Sequence, residues 1–345
     1  MASEPLLEVR GLTKHFPVRE GFLGERKWVR AVDGVSFSVY PRESFGLVGE
    51  SGCGKSTLGR VLLALEAATA GEVLFEGRPV FGMSRPELRR LRRELQVIFQ
   101  DPYSSLDPRM TVRDILEEPF TIHGELREPA ARAKRLRQLL DVVGLASHHL
   151  DRFPHEFSGG QRQRVGIARA LALNPKLIVA DEPVSALDVS IQAQILNLLK
   201  DLQSEFALTY LFISHDFSVV RHLCDRVSVM YLGRIVESAA CEDLFNDPQH
   251  PYSEALLSAV PVPDPAVERS RRRVLATGDL PSPLEPPPGC HFHPRCRYAQ
   301  ASCRTQEPPF ALAKPEHWAA CPVQPFKEKP SAAALVSGSP THDRA

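Results

Sequence analysis

The sequence has no excess of charge of either sign. Its 42 Lys and Arg residues are balanced by 42 Asp and Glu residues, so the formal net charge at pH 7 is zero. A chain without net positive charge has no global field that would attract a polyanion. We therefore predict that nucleic acid is not among its partners.

Long apolar stretches are also missing. No uninterrupted apolar run approaches the roughly 18 residues that a membrane-spanning helix needs. The first residues, MASEPLLEVRG, lack the apolar segment of a secretory signal. We expect the chain to stay in the cytoplasm, where its seven cysteines would be reduced rather than paired in disulfides.

Proline is sparse in most of the chain and dense in the last part. Of 30 prolines, 12 lie in residues 1–247 and 18 in residues 248–345. Since proline interrupts both helices and strands, this shift marks the end of a compact domain. We predict, in order, a domain at 1–260, a linker at 261–288, a cysteine-rich region at 289–327 and a disordered tail at 328–345.

Short apolar segments alternate with helical patterns in the first domain. Strands are predicted at 44–48, 97–99, 177–180 and 210–213, and helices at 58–65, 130–143, 161–173 and 189–206. In the last helix one face carries Ile191, Ile195, Leu198, Leu199 and Leu202. This alternation predicts an α/β fold with a parallel sheet that helices cover.

The strand that ends at Val48 is followed by GESGCGKST at residues 49–57, which fits the pattern G-x-x-x-x-G-K-[ST]. Glycines let such a loop curl around phosphates, and its amides donate to them. Lys55 would reach the outer phosphates, and Ser56 can bind magnesium. The predicted nucleotide contacts of this P-loop are Gly49, Ser51, Gly52, Gly54, Lys55, Ser56 and Thr57.

A pair of acids follows the predicted strand at 177–180. Asp181 can hold magnesium through water, and Glu182 can activate or orient an attacking water. An acidic pair after a strand also fits a helix N-cap with a solvated neighbour. The phosphate loop on the same chain favours the magnesium interpretation.

Further motifs occur in a fixed order along the chain. Gln100 follows the strand at 97–99, FSGGQ at 157–161 opens a helix, SALD lies at 185–188, and His215 follows the strand at 210–213. Together with the phosphate loop and the acidic pair, they resemble the nucleotide-binding subunit of ATP-binding cassette (ABC) transporters. The resemblance covers residues 6 to about 260.

This resemblance implies a P-loop NTPase fold with a RecA-like core and a helical subdomain at about 101–172. It implies ATP and Mg²⁺ as ligands, with Gln100 and Asp181 joining Ser56 at the metal. The implied catalytic residues are Glu182, His215 and Gln100. His215 would contact the γ-phosphate and help to hold Glu182 and the water in line.

The resemblance also implies a head-to-tail dimer of two ATPase subunits. Ser158, Gly160 and Gln161 would close on nucleotide held by the opposite subunit, and Asp188 would cross the interface. An aromatic ring would stack on adenine. Phe16 matches the family position best, and Trp28 is a rival.

Two stretches are similar to the ATPases of oligopeptide and dipeptide importers. One is QDPYSSLDPRMTV at 100–112, and the other runs from HPY at 250–252 to GCHFHPRC at 289–296. Peptide import is the implied function; nickel or another small solute, and a non-transport regulatory ATPase, are the alternatives. The implied partners are a second ATPase, two transmembrane permeases and an extracytoplasmic solute-binding protein. The chain would be peripheral on the cytoplasmic face of the membrane.

Four cysteines crowd the C-terminal region: Cys290, Cys296, Cys303 and Cys321. In a reduced compartment, thiols this dense favour a metal centre, and a Pro-rich segment with little apolar core needs such a staple. The spacing leaves the metal open, since no Cys-x-x-Cys is present. Similarity to peptide importer ATPases favours [4Fe-4S] over Zn²⁺. His291, His293 and His317 are possible substitute ligands, and four unligated thiols are the simpler alternative.

Overall fold

The computed structural model of the chain describes residues 4–19, 26–101, 103, 105–260 and 278–323. The predicted linker is therefore described only from residue 278 onward. The predicted tail at 328–345 lies outside the described residues, as do Pro102 and Ser104 of the stretch at 100–112.

The strands of the described residues include those that periodicity predicts. They are β1 (Leu7–Arg19), β2 (Arg26–Val39), β3 (Ser44–Val48), β4 (Ala70–Phe75), β5 (Arg78–Pro79), β6 (Leu95–Ile98), β7 (Leu177–Asp181), β8 (Thr209–Ser214), β9 (Arg226–Tyr231), β10 (Arg234–Ala240), β11 (Ala311–Lys314) and β12 (His317–Ala319).

The α-helices of the described residues are α1 (Lys55–Leu62), α2 (Arg85–Glu94), α3 (Val112–His123), α4 (Pro129–Val142), α5 (Gly159–Leu171), α6 (Val189–Phe206), α7 (Phe217–Leu223), α8 (Cys241–Asn246) and α9 (Pro251–Ala259). Short 3-10 helices lie at Ser147–Asp151, Pro154–Glu156, His293–Arg295 and Ala301–Arg304. Each predicted helix is present, with its ends displaced by three residues or fewer.

The chain divides into two compact units, each built from several segments. The first comprises Met1–Leu12, Ser36–Phe45 and Ser56–Ser214, and the second comprises Thr13–Val35, Gly46–Lys55 and His215–Ala345. The domain layout predicted from the sequence, including the helical subdomain at about 101–172 that the resemblance implies, stays a prediction.

A parallel sheet lies in the first unit. Leu95 of β6 pairs with Leu177 of β7, which pairs in turn with Thr209 of β8. All six residues of β8 are buried, as are the first four of β7. These continuous apolar runs are typical of strands that are covered on both faces. Because the strands are parallel, the residues that follow β6 and β7 meet at one edge.

The second unit contains antiparallel strands that periodicity did not predict. β9 and β10 form a hairpin in which Arg234 pairs with Tyr231. β12 pairs with β10 through Glu237 and Ala319, and β11 pairs with β12. The cysteine-rich region therefore contributes two strands to this sheet. Each is only three or four residues long, which is too short for a clear alternation of polar and apolar residues.

Capping defines the start of α3 in the first unit. The Thr111 hydroxyl accepts from the Asp114 amide at 3.2 Å, and the Asp114 carboxylate accepts from the Thr111 amide at 3.0 Å. Such a reciprocal pair satisfies two amides that have no partner within the helix. The helix ends at Gly124, which adopts a left-handed conformation with φ of 70°.

One face of α6 is buried, as the apolar spacing predicts. Ile195, Leu199 and Leu202 are at most 1% exposed. Leu196, which the predicted face omits, is also buried, whereas Ile191 is only half-buried. No helix in the described part of the chain is both long and apolar enough to span a membrane.

Phe120 on α3 tests the core of the first unit. Its side chain is 1% exposed, and Leu116 on the same helix and Leu140 on α4 are fully buried. We expect Phe120→Ala to lower the free energy of unfolding by about 3–5 kcal/mol, because it removes buried contacts and leaves a cavity. Ile122→Ala on the same helix, where the side chain is 49% exposed, should change it by less than about 0.5 kcal/mol. Equal effects in urea titrations would contradict this assignment of the core.

Candidate nucleotide-binding site

The phosphate loop joins β3 to α1, as the sequence predicts, and its residues up to Lys55 belong to the second unit. Two of its glycines lie against neighbouring backbone. A Cβ on Gly49 would stand 2.2 Å from the Met230 carbonyl oxygen, and one on Gly54 would stand 1.9 Å from the Ala31 carbonyl oxygen. Only glycine fits these positions, so the backbone itself forms the surface of the loop.

Lys55 is a buried cation at the start of α1. Its side chain folds back under the loop, where Nζ donates to the Gly49 carbonyl at 2.7 Å and to the Glu50 carbonyl at 3.0 Å. The residue is only 4% exposed, and within the described part of the chain it forms no ion pair with a carboxylate. A buried charge without a counterion is costly. The loop is therefore suited to an anion that supplies the missing charge.

Cys53 lies inside the loop beside this lysine. Its Sγ is 3.8 Å from Lys55 Nζ, and the thiol is 2% exposed. Burial raises the pKa of the Cys53 thiol, which keeps it neutral near pH 7. The thiol therefore does not supply the negative charge that Lys55 lacks.

The residues that the sequence predicts to bind magnesium lie in the first unit. The Ser56 hydroxyl, one residue after Lys55, is 3.1 Å from Oδ1 of Asp181 at the end of β7. Gln100 Nε2 donates to Oε2 of Glu182 at 2.7 Å. Oxygen atoms from a hydroxyl, a carboxylate and an amide are ligands that Mg²⁺ prefers. The chain thus brings Ser56 to Asp181 and Gln100 to Glu182, although these residues are far apart in sequence.

Glu182 has a strained backbone. Its φ is 47°, in the left-handed region that non-glycine residues rarely adopt, and its amide donates to the Ile213 carbonyl at 2.8 Å. Strain of this kind concentrates at functional sites, where the surrounding structure holds it. The conformation turns the chain away from β7 directly after the acidic pair.

The sequence FSGGQ forms the N-terminus of α5 in the first unit. Ser158 is the N-cap: its hydroxyl accepts from the Gln161 amide at 3.3 Å, and its amide donates to Gln161 Oε1 at 3.1 Å. A Cβ on Gly160 would stand 2.5 Å from Ile191 Cγ2, so glycine allows α5 and α6 to approach closely. Three predicted residues therefore share one helix start, where amides and the helix dipole favour an anion.

The remaining predicted residues lie on other elements. Asp188 is exposed at the N-cap of α6, without a side-chain capping bond, and His215 is exposed in the second unit. Phe16 in β1 is half-buried with Lys14 Nζ 4.6 Å from its ring centroid, whereas Trp28 in β2 is 45% exposed. These observations leave both aromatic candidates for adenine in place.

Sequence reasoning missed a tyrosine that supports the phosphate loop. The Tyr252 hydroxyl on α9 accepts from the Glu50 amide at 2.9 Å, and Tyr252 is fully buried. Its pKa is raised by burial, so the hydroxyl stays protonated. The two residues are 202 positions apart, and no spacing rule links them.

The four C-terminal cysteines lie in the second unit as unpaired thiols. Cys303 is 5% exposed and the other three are partly buried. Burial, followed by smaller electrostatic effects of neighbouring thiols, raises the pKa of Cys296 to about 11 and that of Cys321 to about 12. Among the described residues, no three His, Cys, Asp or Glu side chains are arranged as a metal site.

The three histidines near these thiols have their own surroundings. His317 Nε2 is 2.6 Å from the buried carboxylate of Glu237, and His293 Nδ1 is 2.9 Å from the Cys290 carbonyl oxygen. Burial lowers the pKa of His291.

Two family models match parts of the chain. The family model described as ABC transporter matches residues 32–185, and the model described as the oligopeptide/dipeptide transporter C-terminal region matches residues 236–303. The chain belongs to the family of ABC transporter ATP-binding proteins.

Its curated relatives are similar along almost their whole length. The oligopeptide transport ATP-binding protein AppF of Bacillus subtilis is 54% identical over 92% of this chain and 97% of the relative. A putative peptide import ATP-binding protein of Brucella ovis is 53% identical over 93% of this chain and 98% of the relative.

Solved structures agree with the fold. A dimeric ATP-binding cassette in a post-hydrolysis state with ADP and Pi matches with a TM-score of 0.61 and 30% identity, over 68% of this chain and 98% of that one. The cbiO1 protein of Clostridium perfringens, part of an ABC transporter complex, matches with a TM-score of 0.60 and 29% identity, over 70% and 91% of the two chains. The predicted fold is therefore confirmed.

Gly54 tests the shape of the phosphate loop. We expect Gly54→Ala to abolish measurable ATP binding, because the new Cβ collides with the Ala31 carbonyl. Gly77→Ala is the matched control: Gly77 also has a positive φ, of 72°, but no atom lies within 4 Å of its added Cβ. That variant should lose about 1 kcal/mol of stability from backbone strain and keep its affinity. Unchanged ATP affinity of Gly54→Ala in equilibrium titrations would contradict the assignment.

Proposed function

We propose that this chain is the ATP-hydrolysing subunit that energises import of oligopeptides or dipeptides by an ABC transporter. The observation that carries the ATP-binding part is the buried ammonium of Lys55 beneath a glycine loop, without a carboxylate partner among the described residues. Its relatives are named as oligopeptide transport and peptide import ATP-binding proteins, and this supports peptides over nickel or another small solute. The same names support a role in transport over a purely regulatory role.

ATP would be held by the loop and its helix. The proposed contacts are Gly49, Ser51, Gly52, Gly54, Lys55, Ser56 and Thr57, with Phe16 or Trp28 on the adenine. Magnesium, which neutralises phosphate charge when bound, would be held by Ser56, Gln100 and Asp181. The 3.1 Å separation of the Ser56 and Asp181 oxygens fits two groups that share one ion.

Hydrolysis would depend on Glu182, His215 and Gln100. Glu182 would accept the proton of the attacking water, and its hydrogen bond with Gln100 holds the carboxylate in place. His215 would contact the γ-phosphate and keep the water in line. Since charge develops on the phosphoryl oxygens, the loop amides and Lys55 would stabilise the transition state as well as the bound nucleotide.

A second ATPase subunit would complete each site. Ser158, Gly160 and Gln161 at the start of α5 would face the nucleotide of the partner subunit, and Asp188 would cross the interface. Asp188 is exposed, and the neighbouring Val189 is 81% exposed, which is unusual for a large apolar side chain. This exposure supports a surface that a partner covers.

The stretch at 100–112 would transmit the state of the nucleotide to the permeases. Arg162 of α5 lies over the Tyr103 ring at 4.0 Å, and Arg169 donates to the Ser105 carbonyl at 2.7 Å. Tyr103 is 60% exposed, so the ring is available to a partner. These contacts join the stretch to the helix that begins with Ser158. The proposed assembly contains two ATPases, two permeases and an extracytoplasmic solute-binding protein, with this chain peripheral on the cytoplasmic face.

We further propose that Cys290, Cys296, Cys303 and Cys321 hold a [4Fe-4S] cluster or Zn²⁺. The Cys290 amide donates to the Cys303 carbonyl at 2.9 Å, and small electrostatic effects among the four thiols also support a common neighbourhood. The described residues 278–323 bury few apolar side chains, so a metal staple would supply stability that the core does not.

Glu182→Gln tests the hydrolytic role. Because the carboxylate acts on water in the transition state, we expect kcat of the assembled transporter to fall by about 10²- to 10⁴-fold. ATP affinity should stay within about twofold, since Lys55 and the loop amides hold the ground state. Glu205→Gln, on the exposed side of α6, is the matched control and should keep the parental rate. Hydrolysis by Glu182→Gln at the parental rate would contradict the assignment.

Metal analysis of protein purified without oxygen tests the cysteine site. A cluster predicts a brown protein with broad absorbance at about 400 nm and about four irons per chain. Metal retention should weaken as pH falls, because thiols with a raised pKa must lose protons to bind. Colourless protein with stoichiometric zinc would exclude the iron–sulfur cluster but support a stabilising metal site at the four cysteines. Metal-free protein with a folded C-terminal region and four titratable thiols would contradict both.

A further inference from the structure

Glu50 in the phosphate loop has a partner in the cysteine-rich region. Arg295 donates from Nη1 to Glu50 Oε2 at 2.7 Å and from Nη2 to Oε1 at 2.9 Å, so the pair is bidentate. The two residues are 245 positions apart, and both belong to the second unit. Bidentate guanidinium–carboxylate pairs fix geometry as well as charge.

An aromatic cluster lies beside Arg295. The rings of Tyr231, Tyr252 and Phe292 lie with centroids 4.6 to 5.4 Å apart, and the Arg295 guanidinium is 5.9 Å from the Tyr231 centroid. Arg295 is 9% exposed, and its pKa is raised chiefly by its hydrogen bond to Glu50. The Arg295 side chain is 9% exposed and that of Glu50 is 30% exposed, so water screens this pair only in part, and loss of either partner leaves the charge of the other without its counterion.

Glu50 is held at both ends. Its amide donates to the Tyr252 hydroxyl at 2.9 Å, and its carboxylate is bound by Arg295. Its carbonyl accepts from Lys55 Nζ at 3.0 Å and from the Cys53 amide at 3.3 Å. Tyr252 and Arg295, which lie outside the phosphate loop, therefore hold Glu50, whose carbonyl in turn binds Lys55.

The pair also neutralises a charge at an unfavourable place. Without Arg295, the Glu50 carboxylate would add a negative charge to a loop that must accept phosphates. Like charges in a partly buried site repel strongly. Arg295 offsets that repulsion and holds the carboxylate in one orientation through two hydrogen bonds.

We propose that Arg295 is a positioning residue, through which the cysteine-rich region holds the phosphate loop in its nucleotide-binding geometry by way of Glu50. This rests on the proposed ATP binding. The residue contacts the loop and not the catalytic Glu182, so its effect falls on binding. The ATP Kd and KM should rise, and kcat at saturating ATP should change little.

The experiment compares variants of the full chain by equilibrium titration with a fluorescent ATP analogue and by steady-state ATPase assays of the assembled transporter. We expect Arg295→Gln to weaken nucleotide binding by about 10- to 100-fold, the range for a lost charged hydrogen-bond pair. kcat at saturating ATP should stay within about twofold. Arg295→Lys, which keeps the charge but not the bidentate geometry, should lie between parent and Arg295→Gln.

Arg297→Gln is the matched control. Arg297 lies two residues further along the same segment and pairs with Glu254 at 3.1 Å rather than with the loop. Its ATP affinity should equal that of the parent. Equal weakening by Arg295→Gln and Arg297→Gln would overturn the proposal, because it would show a general loosening of the segment.

A double variant distinguishes loss of the Glu50–Arg295 ion pair from a general loss of folded structure. Glu50→Gln with Arg295→Gln should bind no more weakly than Arg295→Gln alone, since both changes remove one interaction. Additive losses would overturn the proposal. Should Arg295→Gln fail to fold, Arg295→Lys and the double variant, which strands no buried charge, decide in its place. Parental affinity in folded Arg295→Gln would overturn this inference alone, whereas a parent that binds no nucleotide would overturn the proposed function with it.

Discussion

The buried ammonium of Lys55 is the interaction on which the phosphate loop depends. It is 4% exposed, and among the described residues it donates to carbonyl oxygens of the loop and lies beside the neutral Cys53 thiol. An ammonium in this position holds the Gly49 and Glu50 carbonyls on its own side of the loop. The close approaches at Gly49 and Gly54 are what allow the curvature of the loop. A polyanion supplies the charge that these backbone contacts cannot.

The position of Glu182 beside Gln100 depends on a different constraint, the register of a parallel sheet. Because β6 and β7 run in the same direction, Gln100 and Glu182 emerge at one edge and meet at 2.7 Å. The left-handed turn at Glu182 then redirects the chain toward α6. The direction of the strands and the backbone conformation of Glu182 therefore set where its carboxylate lies.

Local sequence patterns explain why the phosphate loop, strand β7 and helix α6 could be predicted from the sequence. A loop such as GESGCGKST and a strand such as LIVAD contain their own signals, since spacing and apolar runs are local properties. The ends of α6 could be predicted because Ile195, Leu199 and Leu202 repeat with helical spacing. The contacts of Glu50 with Tyr252 and Arg295 could not, because they join residues more than 200 positions apart. Strands β11 and β12 were missed because three or four residues are too few to show a period.

Uptake of labelled peptide into proteoliposomes tests the central claim most directly. The vesicles would contain this chain with the proposed second ATPase and two permeases, and the proposed solute-binding protein would be on the opposite side from the ATPases. The account predicts that peptide accumulates only with ATP, and that a non-hydrolysable analogue stops it. Accumulation that continues without hydrolysis, or ATP hydrolysis indifferent to peptide-loaded binding protein, would contradict it.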